Sequence, residues 1–137
     1  DLSMLIEASG IDPANMVIHC FTGEQPALQR YLDMGCMIGI TGWVCDTKRG
    51  AGLRALVKQI PCERILIETD APYLRPHNAP ADALPVQGNK RRNEPALLPY
   101  VATVLADCMG LGVADLLQHS CDNALRLFPR LTLAALR

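Results

Sequence analysis

Three short apolar runs, at residues 16–21, 37–43 and 64–69, alternate with stretches of helical spacing, and this alternation most narrows what the chain can fold into. It reads as strand, helix, strand, helix, strand, and helical connections between strands imply a parallel sheet joined by right-handed crossovers. A parallel sheet needs cover on both faces, and one of about three strands leaves two unprotected edges. The pattern therefore predicts an α/β arrangement that is a piece of a larger sheet or barrel rather than a finished one.

The helices carry their own punctuation. Residues 1–8 place Leu2, Leu5 and Ile6 at helical spacing before Gly10, and Pro26 opens a helix over 26–33 that Gly35 stops. Leu53, Leu56, Val57 and Ile60 share one face of a helix over 52–60, which Pro61 ends. Residues 71–94, rich in Pro, Ala, Asn and Arg, have no period, and an irregular stretch of that length is usually functional or disordered. Helices return at 96–109 and 113–127. Pro99 fits poorly inside the first of these: either the regular helix starts near Leu98, or a short irregular turn precedes it.

At 137 residues, 50% of them hydrophobic, the chain suits roughly one domain with a real core. A net charge of -1 and a pI of about 6.3 exclude a global basic field, so nucleic-acid contact would need a local cluster of Lys and Arg. The six cysteines are scattered without a C-x-x-C pair, which predicts free thiols and a reducing, cytoplasmic setting. No signal peptide is evident and no apolar stretch approaches the roughly 20 residues that span a bilayer, so no membrane contact is expected. The chain opens with Asp1 rather than Met, which leaves an upstream segment open.

Strand parity selects the candidate chemistry. Leu66, Glu68 and Asp70 face one way and Ile65, Ile67 and Thr69 the other, so two carboxylates sit at the C-terminal end of a buried strand, where α/β folds bind ligands. They could equally cap the strand and its turn. His19 ends the first strand in the same way, either as a satisfied core residue or as a ligand converging with Asp70. Imidazole with carboxylate suits Zn²⁺, Mn²⁺ or a related divalent ion, although two donors fall short of the three or so protein ligands of an open catalytic site. Cys20, beside His19, is turned by parity to the opposite face and reads as a core cysteine. Lys48 and Arg49 follow the second strand, and Arg75, His77, Lys90, Arg91 and Arg92 follow the third. These form either a solvated loop surface or a phosphate-binding one on which Trp43 or Tyr73 stacks a base.

Taken together, His19-Cys20-Phe21-Thr22-Gly23, Gly39-Ile40-Thr41-Gly42-Trp43, Glu68-Thr69-Asp70-Ala71-Pro72-Tyr73-Leu74, Arg92-Asn93-Glu94-Pro95 and the closing Asn123-Ala124 with Leu127-Phe128 resemble the TatD family of metal-dependent deoxyribonucleases. Residues 40–50 most resemble its bacterial TatD branch. The resemblance implies that residues 1–137 are the C-terminal part of a single TIM-like (β/α)8 barrel of the metal-dependent hydrolase type, with the metal centre on the C-terminal face. It implies that His19 is a metal ligand and that Asp70 binds the metal or the attacking water and serves as the base. Glu68 would lie deeper on that face, and, independently of the resemblance, Arg92 or Asn93 is expected to satisfy it. Lys48, Arg49, Arg75, Arg91, Trp43 and Tyr73 would meet phosphate and base. The implied cofactor is a divalent metal, Mg²⁺ or else Mn²⁺ or Zn²⁺, and the implied activity is 3′-5′ exonuclease action on single-stranded DNA or RNA.

The family's N-terminal His-x-His pair, the glutamate after its fourth strand and the histidine of its fifth have no counterpart here. The expectation is therefore an intact protein that is a cytoplasmic monomer, and a 137-residue piece that is inactive alone and prone to self-association. Two other readings are a related metal hydrolase, such as a D-aminoacyl-tRNA deacylase, and a truncated, non-catalytic binding remnant.

Overall fold

The computed structural model describes residues 2–83 and 92–131. In chain order these form α1 (Leu2–Ala8), β1 (Val17–Ile18), α2 (Gln25–Asp33), β2 (Met37–Ile40), α3 (Ala51–Val57), β3 (Ile65–Ile67), α4 (Leu98–Met109) and α5 (Val113–Leu127). The strands form one sheet in the order β1-β2-β3, with both pairings parallel and Ile38 opposite both Ile18 and Ile65.

The strands are shorter than the apolar runs that predicted them, for identifiable local reasons. In the second run the Thr41 hydroxyl accepts the Trp43 amide, which turns Gly42–Cys45 into a 3-10 turn and removes Trp43 from the strand. In the first run Cys20 takes φ 50°, so the ladder breaks after Ile18, although the Phe21 amide still reaches the Gly39 carbonyl at 3.0 Å. Both alternatives for Pro99 hold at once. A 3-10 turn at Pro95–Leu97 precedes the regular helix, and Pro99 lies in the first turn of α4, where a missing N–H costs nothing.

Alternation divides the core as parity requires. Ile18, Ile38, Ile40 and Ile65 pack with Leu28 of α2, Val57 of α3, Leu105 of α4 and Leu116 of α5. Most of these side chains are fully shielded, and each contributes about 1.5–3 kcal/mol on burial. The opposite face carries the smaller cluster of Met37, Leu66 and Leu127, flanked by Val17 and Ala124.

The outer edge of β3 departs from expectation. The Glu68 amide pairs inward with the Ile40 carbonyl, so the backbone groups of Ile65 and Ile67 point away from β2. Side chains of α5 meet them. Ser120 Oγ accepts the Ile67 amide at 2.9 Å, and Asn123 Nδ2 donates to the carbonyls of Ile65 and Cys62, each at 2.7 Å. Arg126 holds the Asn123 amide oxygen in turn and donates to the Glu63 carbonyl. A polar stripe on a helix thus satisfies backbone groups that a further strand would otherwise take. Replacing Asn123 by Ala strands two carbonyls in a buried place and should cost about 2–4 kcal/mol in urea unfolding. A loss under about 0.5 kcal/mol, the range of an ordinary surface change, would show that α5 does not hold this edge.

Candidate metal centre

His19 follows β1 and the pair Glu68 and Asp70 follows β3, so all three stand at the C-terminal end of the sheet. Glu68 joins the two strand ends. Its Oε2 is 2.7 Å from His19 Nδ1, and its Oε1 accepts the Cys20 amide at 2.7 Å. Two features make room for this bridge. The positive φ of Cys20 sits beside the amide that reaches Glu68, and Gly39, on the strand between, leaves the carboxylate its space. A Cβ built on Gly39 would stand 2.1 Å from Glu68 Oε1, a distance no real contact tolerates.

This geometry corrects two expectations. Glu68 is not satisfied by Arg92 or Asn93, because both its oxygens are taken by His19 and Cys20. Arg92 Nε lies 3.5 Å from Glu94 instead. Asn93, only 2% exposed, clasps the turn beyond Asp70: its amide donates to the Pro72 carbonyl and its side-chain nitrogen to that of Tyr73. Cys20, read as a core residue, is only half-buried; its amide belongs to the Glu68 bridge, and its thiol lies 3.2 Å from Thr41 Oγ1.

The other ring nitrogen of His19 faces Asp70. Nε2 to Oδ1 is 3.4 Å. An ionised Glu68 keeps the proton on Nδ1, which leaves the Nε2 lone pair opposite a carboxylate oxygen. Two acceptors so placed need a proton or a cation between them. Two donors about 2.1 Å from one ion are about 3.0 Å apart at an octahedral right angle and about 3.4 Å apart at a tetrahedral one, so the pair lies in the range for a divalent metal. A carboxylate behind the ligating histidine is the usual way to fix its tautomer and orientation. Among the described residues no third His, Cys, Asp or Glu joins them, so this chain supplies two donors and their support.

The basic residues separate into different roles. Arg49 Nε binds Asp46 Oδ2 at 2.7 Å, and its guanidinium lies over Trp43, 4.5 Å from the ring centroid. Lys48 is exposed, and its amide, with that of Arg49, donates to Asp46 Oδ1. Arg75 turns inward on its own loop, donating to the carbonyls of Ala79 and Pro80, so much of its fork is structural rather than free for phosphate. Tyr73 is 70% exposed on the turn that follows Asp70. Arg91 and Lys90 lie outside the described residues. The residue that sequence reasoning missed is Asp46, whose buried carboxylate is held well below its usual range, first by the Arg49 backbone amide and then by the Arg49 side chain. An Asp two and three residues before the amides that its side chain accepts is an Asx-type turn, and that spacing was the available signal.

The Glu68 hydrogen bond raises the His19 pKa above 6.5, with desolvation opposing it and the charge of Glu68 and the contact with Asp70 adding. Whatever stability this gives the fold is present below pH 6.5 and lost as pH rises through the raised value. It is small, because the ring is 54% exposed. In a proton NMR titration His19 should have a midpoint above 6.5, and both Glu68→Gln and Gly39→Ala should bring it down. An unchanged midpoint in both variants would mean that Glu68 does not set the state of the ring.

Known proteins of one family resemble this chain over most of its length. The family model described as TatD related DNase matches residues 1–129. A 3′-5′ ssDNA/RNA exonuclease TatD from Pantoea ananatis is 48% identical over 112 residues, covering 82% of this chain and 41% of the relative. The protein of the same description from Pectobacterium parmentieri is 45% identical over 127 residues, covering 93% and 46%. Among solved structures, YJJV, a TatD homologue from Escherichia coli K12, superposes with a TM-score of 0.75 at 25% identity over 92% of this chain and 44% of its own. A TatD family hydrolase from Entamoeba histolytica gives 0.66 at 26% identity, over 81% and 41%. The chain spans less than half the length of these relatives. Its fold is the α/β fold of the TIM-barrel hydrolases, and the chain belongs to the TatD-related DNase family.

Proposed function

We propose that this chain forms part of a divalent-metal-dependent phosphodiesterase that removes nucleotides from single-stranded DNA or RNA in the 3′-5′ direction. The observation that carries the reading is the Glu68–His19–Asp70 line, in which a braced imidazole nitrogen and a carboxylate oxygen stand 3.4 Å apart at the C-terminal end of a parallel sheet. The names of the bacterial relatives supply the substrate class.

In this reading His19 Nε2 and Asp70 hold the ion, with Mg²⁺ first and Mn²⁺ or Zn²⁺ as alternatives. A bound divalent ion supplies a lowered water pKa and neutralises charge on phosphoryl oxygens. The chain's own residues do the rest. Glu68 keeps His19 in the tautomer that leaves Nε2 unprotonated, and Asp70 takes the proton of the attacking water. Asn93 holds the turn behind Asp70, so the carboxylate does not drift from His19. Arg49, Lys48, Trp43 and Tyr73 receive the strand, with Arg75 shaping the loop between them and Arg91 as a further cation. The remaining metal donors are proposed to come from polypeptide equivalent to the unmatched portion of the relatives. The outer edge of β1, which has no strand partner among the described residues, is where the 137-residue chain would self-associate, and the intact protein would be a monomer. The free cysteines support a cytoplasmic location.

The test is an assay on a 3′-labelled single-stranded oligonucleotide, with this chain alone and with the chain joined to the amino-terminal portion of a family member. The joined protein should digest the oligonucleotide with Mg²⁺ or Mn²⁺ and stop in EDTA, while the 137-residue chain should bind metal weakly and cleave nothing measurable. Asp70→Asn should lower the joined protein's rate at least about a hundredfold, the scale of a lost general base. Cleavage that survives EDTA would overturn the reading. Hydrolysis of D-aminoacyl-tRNA in preference to the oligonucleotide would move the chain to the deacylase reading.

A further inference from the structure

The loop between β2 and α3 holds an arrangement that the metal centre does not use. Asp46 is 5% exposed, yet it makes no bond to the core; both its oxygens are occupied by Arg49 and by the amides of Lys48 and Arg49. A surface arginine normally moves among many rotamers and gives up that freedom when it binds. Here Nε is tied to a buried carboxylate and the guanidinium carbon stands over the Trp43 ring, 4.5 Å from its centroid. Its two Nη nitrogens have no acceptor among the described residues, and the side chain is 63% exposed. The bonds to Asp46 outweigh its desolvation and hold the carboxylate ionised, so the anchor for Arg49 is a fixed charge. As a device for presenting a fixed pair of N–H donors the arrangement is sound, since guanidinium forks match the two free oxygens of a phosphodiester.

The surroundings favour an anion of that size. Trp43, Asp46, Arg49 and His77 line a cleft of about 440 Å³ with Gly42 and Pro76. Asp46 Oδ2 lies 3.9 Å from His77 Nε2 across the cleft as well as on Arg49, so its charge is faced by two groups that carry or can carry a proton. The cleft also shares a face with the metal centre. Gly42 is pressed against the Leu74 carbonyl so closely that a Cβ would stand 2.0 Å from it, and Leu74 lies on the turn that begins at Asp70.

We propose that this cleft is a phosphodiester subsite in which Arg49, positioned by Asp46 and backed by Trp43, grips a phosphate of the single strand other than the one being cleaved. The proposal rests on the nucleic-acid reading above. It assigns Asp46 a positioning role and makes the subsite independent of metal.

Trp43 is the only tryptophan of the chain, so its fluorescence reports this cleft alone. The full 137-residue chain would be titrated in EDTA with a single-stranded oligothymidylate of about ten nucleotides, a typical length for one strand-binding site. Emission should change and saturate. Arg49→Ala should weaken binding about tenfold and reduce the salt slope by about one ion. Arg49→Lys keeps the charge without the fork and should weaken binding while leaving the salt slope. Asp46→Asn, which retains an acceptor for the two backbone amides, should weaken binding with an unchanged circular dichroism spectrum, an outcome that a purely turn-shaping role would not produce. Equal affinity in wild type and Arg49→Ala would overturn the subsite and leave the nuclease reading standing. The same emission change at the same concentration of inorganic phosphate would reduce the cleft to a general anion contact and overturn it too. If Trp43 fails to respond, the oligonucleotide assay separates the causes: activity in the joined protein overturns the subsite alone, and its absence overturns both.

Discussion

The short bridge from Glu68 to His19 and Cys20 ties the end of β3 to the end of β1 across β2, and much of the site depends on it. A carboxylate at this depth is costly unless both oxygens are paired. Glu68 meets that condition with one imidazole and one backbone amide, and the pairing dictates which His19 nitrogen remains for chemistry. The bridge is possible only because the intervening strand places Gly39 where any side chain would collide with the carboxylate. Strand pairing, ring tautomer and the 3.4 Å spacing to Asp70 therefore form one linked constraint.

The same economy of polar contacts appears on the opposite flank. Helix α5 covers the outer edge of β3 with Ser120 and Asn123, so backbone groups that a parallel neighbour would take are satisfied by side chains. With the α5 face of Leu116 in the main core and Leu127 on the other cluster, the helix is attached by apolar packing and by specific hydrogen bonds together. The loops on the far side use a third version of the rule. Asn93 and Asp46 are both buried polar residues bonded largely to loop backbone, Asn93 to the turn after Asp70 and Asp46 to the amides of Lys48 and Arg49. Each stiffens a loop at the C-terminal end of the sheet, the end where parallel α/β proteins assemble their sites.

Much of this was legible in the order of residues. The three parallel strands followed from the alternation of apolar runs with helical spacing, and α5 was bounded at 113–127 in advance because its periodicity is uninterrupted. The convergence of His19 and Asp70 followed from parity and from both lying at strand ends. What was not legible involved contacts that side chains make with backbone. Trp43 left the strand because of one hydroxyl, that of Thr41. As a partner for Glu68 the sequence suggests Arg92 or Asn93, but the His19 ring and the Cys20 amide take both its oxygens. Arg75 reads as a phosphate contact in the sequence, but its own loop folds back to use it.

By itself the sequence determined that the chain is an α/β protein with parallel strands, which faces of those strands are apolar, and which His and Asp stand at their C-terminal ends. Those properties follow from periods of two and of about 3.6 residues, which are local and need no knowledge of distant neighbours. Tertiary structure alone decided which carboxylate braces the histidine, which arginines remain free to bind, and that a helix rather than a strand meets the edge of β3. The brace on the histidine and the cover on β3 depend on contacts between residues tens of positions apart, and the loss of Arg75 depends on carbonyls whose direction no residue type encodes.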